Sequence, residues 1–125
     1  SAALLVRLKK NYEFARVFRH GKRRGGKHIS LHYRRNRVGC NRVGFTTVKH
    51  FGNAVQRNRM RRLMREALRD LAPSLLSGYD IILMGQKSEE AIGFQDVRED
   101  LLRILRKEKL LADPEAVEKD ENSAD

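Results

Sequence analysis

The chain has 125 residues, 34% of them charged and 40% hydrophobic, and a formal net charge of +11. That length holds one small domain with a modest core; one cysteine excludes an internal disulfide framework and fits a reducing compartment; and no apolar run approaches the roughly 18 residues a membrane helix needs. The charge is concentrated, with 20 Lys and Arg against only Glu13 and Glu66 in residues 1–69, and 7 against 14 acidic residues in 70–125. Such a field favours a polyanion, nucleic acid before an anionic membrane surface.

SAALLV at the start is too short for the apolar region of a signal peptide and lacks the basic residues that should precede one. NYEFARVFRHG, 11–21, predicts a short helix capped by Asn11 and ended by Gly21, with Phe14, Val17 and Phe18 at i, i+3 and i+4. After the basic, glycine-rich KRRGGK, the stretch HISLHYR, 28–34, alternates: Ile29, Leu31 and Tyr33 on one face, Ser30, His32 and Arg34 on the other. This predicts a half-buried strand. RVGFTTV, 42–48, alternates again, with Val43 and Phe45 opposite Arg42, Gly44, Thr46 and Val48, and the short turn between the two strands suggests an antiparallel hairpin. Cys40 falls in that turn as an incidental residue.

RNRMRRLMREALR, 57–69, carries six arginines in thirteen positions. With Asn53 as cap, Met60, Leu63, Met64, Ala67, Leu68 and Leu71 form one helical stripe. Asn58, Arg61, Arg62, Arg65 and Arg69 lie opposite, and Arg57 and Arg59 flank the stripe. Like charges so spaced repel, so a partner outside the helix must offset them. Pro73 closes this helix. YDIILM, 79–84, reads as a central strand buried on both faces, and residues 95–111 as a third helix, with Phe94, Val97, Leu101, Ile104 and Leu105 at helical spacing. Residues 1–112 are expected to form a single domain and residues 113–125 an acidic, flexible tail. The element order implies an α+β sandwich of helices on a small sheet.

A catalytic constellation is hard to assemble from these residues. The four histidines lack metal-ligand spacing, His28 and His32 suiting surface or RNA-contacting positions better. Paired carboxylates are missing from the basic half, and no phosphate-binding glycine motif occurs. Nucleic-acid binding is better supported, because arginines clamp phosphates bidentately and Asn53, Gln56 and Asn58 add polar groups near a helix start. Phe14 and Phe18 are open to two readings, core residues or exposed rings that stack on unpaired bases.

LKKNYEFARVFRHG, RVGFTTVKHFGNAVQRNRMRRLMREALR and GYDIILMGQ, in that order, resemble the protein subunit of bacterial ribonuclease P over roughly residues 7–110, with the family's RNR signature at Arg57, Asn58 and Arg59. The resemblance implies an αβββαβα two-layer sandwich with a left-handed βαβ crossover, one more short strand near residues 22–27, and the basic helix as the crossover. It implies two partners, a large catalytic RNA and precursor tRNA, whose 5′ leader the complex removes by hydrolysis. Mg2+ would be held mainly by the RNA, with none bound tightly by the protein and no catalytic residue in it. Catalytic-RNA contacts carry over to Lys49, Asn53, Arg57, Asn58, Arg59, Arg61, Arg62, Arg65 and Arg69. Leader contacts carry over to Phe14, Phe18, Thr46 and Val48, and to His32, unless loop length puts Tyr33 there instead. His50 stands where lysine is common. A cytoplasmic location, no membrane and no obligate protein partner are expected. The alternatives are a basic RNA-binding protein of ribosomal type and a helix-turn-helix DNA-binding domain, the latter disfavoured by a basic helix lying between strands.

Overall fold

The computed structural model describes residues 5–112; the predicted acidic tail, 113–125, lies outside the described residues. In chain order the elements are β1 (Val6–Arg7), α1 (Asn11–His20), β2 (Lys22–Gly25), β3 (Ile29–Arg35), β4 (Arg42–Thr47), α2 (Ala54–Leu71), a single 3-10 turn (Ala72–Ser74), β5 (Tyr79–Gly85) and α3 (Phe94–Lys107). After the two-residue β1, this is the αβββαβα order, with β2 where the extra strand was expected. Five strands form one sheet in the order β1-β4-β5-β3-β2.

The predicted hairpin between 28–34 and 42–48 does not form. β5 inserts between those strands, antiparallel to β3 and parallel to β4. The physical reason lies in β5 itself: an apolar strand that must be covered on both faces gains most at the sheet centre, and α2 is long enough to carry the chain back for a parallel pairing.

α2 and α3 cover one face of the sheet. Ile29, Leu31, Tyr33, Val43, Ile81 and Leu83 meet the whole predicted stripe of α2 there, together with Val97, Leu101, Ile104 and Leu105 of α3. α1 crosses the opposite face and covers a smaller cluster of Leu8, Val17 and Ile82, with Phe14 packed against it. For that reason β3 is buried on both faces rather than half-buried, from Ile29 through Tyr33. His28 and His32 are each only 8% exposed, which corrects the surface positions expected for them.

The helix ends show what local chemistry specified. Asn53 caps α2 as predicted: its Oδ1 accepts from the Gln56 N–H, and Gln56 Oε1 accepts from the Asn53 N–H, both at 2.9 Å. This reciprocal pair satisfies two N–H groups that a helix start otherwise leaves open. In α1 the cap position falls on Lys10, not Asn11, because the Glu13 carboxylate does the work by accepting from the N–H groups of Lys9 and Lys10 at 2.9 and 2.8 Å. Pro73 sits inside the 3-10 turn that ends α2. α3 stops at Lys107, short of the predicted residue 111. Lys109 takes a left-handed conformation (φ 57°), and Leu111 then pairs with Leu75.

Candidate nucleic-acid interface

The arginine face of α2 separates into residues that fold the protein and residues free to bind. Arg57, the first residue of the RNR signature, turns inward. Its Nε donates to the Gly52 carbonyl (3.0 Å), Nη1 to Thr47 Oγ1 (3.2 Å) and Nη2 to the Lys49 carbonyl. It thereby sets the 47–52 loop on which Lys49 is exposed. Arg59 donates to the Ile92 carbonyl at 2.8 Å, tying α2 to the segment before α3. Arg61 donates to Asn58 Oδ1 at 2.9 Å. Arg62 and Arg69 are exposed.

Arg65 is half-buried, with its guanidinium 5.8 Å from the centre of the Phe45 ring. Its Nε is buried without a hydrogen-bond partner. Burial lowers its pKa, and the charges of Arg7 and Arg69 push the same way. Arg61 and Arg65 lean over the β1–β4 edge and, with Arg7, line a cavity of about 140 Å³. Arg7 was not singled out from the sequence. Only the parallel pairing of β1 with β4 brings it to this edge. The result is a row of like charges that repel one another and that an anion would relieve.

The other face of the sheet holds a cleft beside α1. Strand register aligns Gly44, Ile82, His32 and Arg23 in one row and Thr46, Met84, Ser30 and Gly25 in the next. α1 lies across the first row. Phe14 is partly buried over Gly44, where an added Cβ would come within 2.5 Å of the ring, so only glycine fits beneath it. Phe18 is 41% exposed and stands edge-on to His32, ring centres 4.9 Å apart. The second row is uncovered only in part, with Thr46 and Met84 half-buried and Ser30 fully buried, and Val48 follows past the strand end, its N–H bonded to the Gly85 carbonyl at 3.0 Å.

His32, not Tyr33, therefore belongs to the cleft side. Tyr33 points into the main core, where its hydroxyl donates to Glu108 at 2.7 Å. Burial raises its pKa to about 12, and the Glu108 bond adds to the effect. Beneath the surface, Gln86 Nε2 donates to Ser30 Oγ (2.9 Å), and Ser30 Oγ is hydrogen-bonded to His32 Nε2 at 3.0 Å. Burial, reinforced by Arg23, holds the imidazole below its ordinary value of 6.5.

This has a measurable sign. An unfolded His32 takes up its proton near pH 6.5, the folded one only at lower pH. Its stabilising contribution is complete above 6.5 and is lost as pH falls from there through the folded value. The urea midpoint is expected to fall between neutral pH and about pH 5.5, and to fall less over that interval in His32→Phe. Equal slopes in both proteins would mean that His32 does not carry the effect.

Among the described residues no group of three His, Cys, Asp or Glu side chains is placed to hold a metal ion, and no helix is long and apolar enough to cross a membrane. The family model for ribonuclease P matches residues 5–109. The chain belongs to the ribonuclease P protein family. Among its relatives, the ribonuclease P protein component of Natranaerobius thermophilus is 41% identical over 107 residues, covering 86% of this chain and 93% of the relative. That of Pelotomaculum thermopropionicum is 36% identical over 103 residues, 82% and 92% of the two chains. The ribonuclease P protein of Staphylococcus aureus superposes with a TM-score of 0.75 at 25% identity, covering 86% of this chain and 99% of that one. The Thermotoga maritima protein gives 0.72 at 30% identity, with 81% and 96% covered. The mixed five-stranded sheet with three helices is thus the ribonuclease P protein fold.

Proposed function

We propose that this chain is the protein subunit of a ribonucleoprotein ribonuclease P, binding a catalytic RNA through α2 and the 5′ leader of precursor tRNA through the cleft beside α1. The observation that carries the reading is the pairing of two RNA-suited surfaces on one small sheet. α2, with its partly unpartnered arginines, is packed on one side. Phe18 and the half-buried Thr46 and Met84 lie on the other. Two RNAs can then be held at once, which is what bringing a substrate to a catalytic RNA requires.

In this reading Arg61, Arg62, Arg65 and Arg69 receive phosphates, with Arg7 completing the row. Arg57 and Asn53 act by shaping the loop and helix start that present Lys49, Asn58 and Arg59. The cleft takes unpaired nucleotides, Phe18 offering a ring for stacking and Thr46 a hydroxyl. His32, being neutral and buried, holds Phe18 in place instead of pairing with phosphate. In this reading the Mg2+ chemistry belongs to the RNA.

The direct test adds the protein to a bacterial catalytic RNA and precursor tRNA at low magnesium. Faster release of the leader supports the reading; no gain would favour a ribosomal type of RNA binding. The helix face has its own test. Arg62→Ala with Arg69→Ala should reduce the slope of log affinity for the catalytic RNA against log salt by about 1.4–1.8, the release expected for two phosphates. Stability should change by no more than about 0.5 kcal/mol per exposed site. An unchanged slope in a folded variant would place the RNA elsewhere.

A further inference from the structure

α1 divides its face of the sheet in two, and only one side is the cleft just described. On the other side the next row of the register is Arg42, Asp80 and Arg34. There a cavity of about 410 Å³ is lined by Arg16 of α1, by Arg34, Arg35 and Arg37 at the end of β3, and by Arg42 and Asp80. Arg42 is spent internally. Its Nε and Nη2 donate to the two Asp80 oxygens, both at 2.8 Å, and its Nη1 to Glu13 at 2.9 Å. Asn36 also donates to Asp80, at 2.9 Å. The acidic groups at this site are thereby occupied. Among the described residues Arg16, Arg34, Arg35 and Arg37 enter no ion pair, and Arg16 rests 5.7 Å from the ring centre of the exposed Tyr12. Five arginines against two carboxylates leave a local excess of three positive charges around an open cavity.

We infer that this arginine-lined cavity is a second phosphate-binding subsite, and that it takes the backbone of the leader upstream of the nucleotides in the Phe18 cleft. The inference rests on the leader-binding reading above. The occupant follows from position. The cavity shares a sheet face with Phe18 and His32, whereas α2 packs against the opposite face. On α1 itself, Phe14 and Phe18 flank the cleft side, and Glu13 and Arg16 the cavity side. Exposed Arg19 stands on the outer surface between them. A single strand leaving Phe18 can cross α1 over Arg19 and arrive at Arg16, with positive charge along the whole path. The cavity contributes charge and no second exposed aromatic ring besides Tyr12, so it should bind backbone with little preference for base.

The test uses reconstituted holoenzyme and precursor tRNAs with leaders of about 4 and about 16 nucleotides, spanning the footprints small domains have on single strands. Arg34→Gln with Arg37→Gln should lower affinity for the long-leader substrate and leave short-leader substrate, mature tRNA and catalytic-RNA binding within twofold. For the long leader, the salt slope should flatten by about 1.4, roughly sevenfold across a fourfold rise in salt. Arg34→Lys with Arg37→Lys should restore most of it, and melting curves establish that each variant is folded. Equal losses at both lengths, or a loss confined to catalytic-RNA binding, would overturn the inference and assign the cavity to the catalytic RNA. No loss at either length would make it a solvated surface. If the wild type itself fails to prefer leader-bearing over mature tRNA, the cleft reading falls first and this subsite with it.

Discussion

Arg42→Ala is expected to destabilise the domain by about 3–5 kcal/mol, the range for removing one partner of a buried ion pair. With total stabilities of about 5–15 kcal/mol for domains of this kind, the variant should be close to unfolding at ordinary temperature. The cause is Asp80, which is 2% exposed and would keep Asn36 but lose both guanidinium bonds. Burial by itself raises the Asp80 pKa, and the bonds from Arg42 and Asn36 more than reverse that, holding the carboxyl below its ordinary 3.8.

Acid therefore acts in opposite directions on the two proteins. In the wild type, a depressed carboxyl contributes stability above pH 3.8 that is lost as pH falls through the folded value. In Arg42→Ala, burial acts with less opposition, the folded pKa rises, and protonation relieves the buried charge, so moderate acidification should narrow the gap between variant and wild type. Adding Asp80→Asn to Arg42→Ala should recover part of the loss at neutral pH, a coupling that denaturant titrations of the four proteins would measure. A double variant no better than the single would show that the cost lies in the lost packing of the arginine stem.

This ion-pair cluster also marks where reading the sequence stopped. The stripe of α2, its cap at Asn53, the presence of strands β3 and β4 and the burial of β5 were all legible, because each depends on residues a few positions apart in the chain. The pairing of β5 between β3 and β4 was not, since no local signal distinguishes a hairpin from two strands separated by a third. Everything that depends on that pairing was hidden with it: the Arg42–Asp80 bond across 38 residues and the arginine-lined cavity behind α1; the arrival of Arg7 beside Arg65 was hidden likewise by the pairing of β1 with β4. Asp100 is a similar case. It is 1% exposed and accepts from the N–H groups of Lys27, His28 and Ile29, more than 70 residues away in the chain. The arginine face was legible as a face, but its internal division was not: that Arg57 is spent on the 47–52 loop follows from carbonyls whose positions only the fold supplies.

The two aromatic rings of α1, alike in sequence, should respond oppositely to truncation. Phe18→Ala removes a ring that is 41% exposed beside the cleft floor. Stacking on an unpaired base is worth about 1–3 kcal/mol, and about 1.4 kcal/mol is tenfold in affinity. Holoenzyme binding to leader-bearing tRNA should therefore weaken by about tenfold, with mature tRNA and catalytic-RNA binding unaffected. Phe14→Ala instead empties the space over Gly44 and uncovers Leu8 and Val17, the small cluster that fixes α1 to the sheet. A loss of about 3 kcal/mol is expected, seen first in the melting curve and then in every binding measurement together. The informative comparison is the ratio of precursor to mature tRNA affinity, measured where both variants are folded. That ratio should collapse in Phe18→Ala and hold in Phe14→Ala. If it holds in both, the leader is not stacked on α1, and its discrimination must come from backbone contacts along the sheet floor or the arginines beyond the helix.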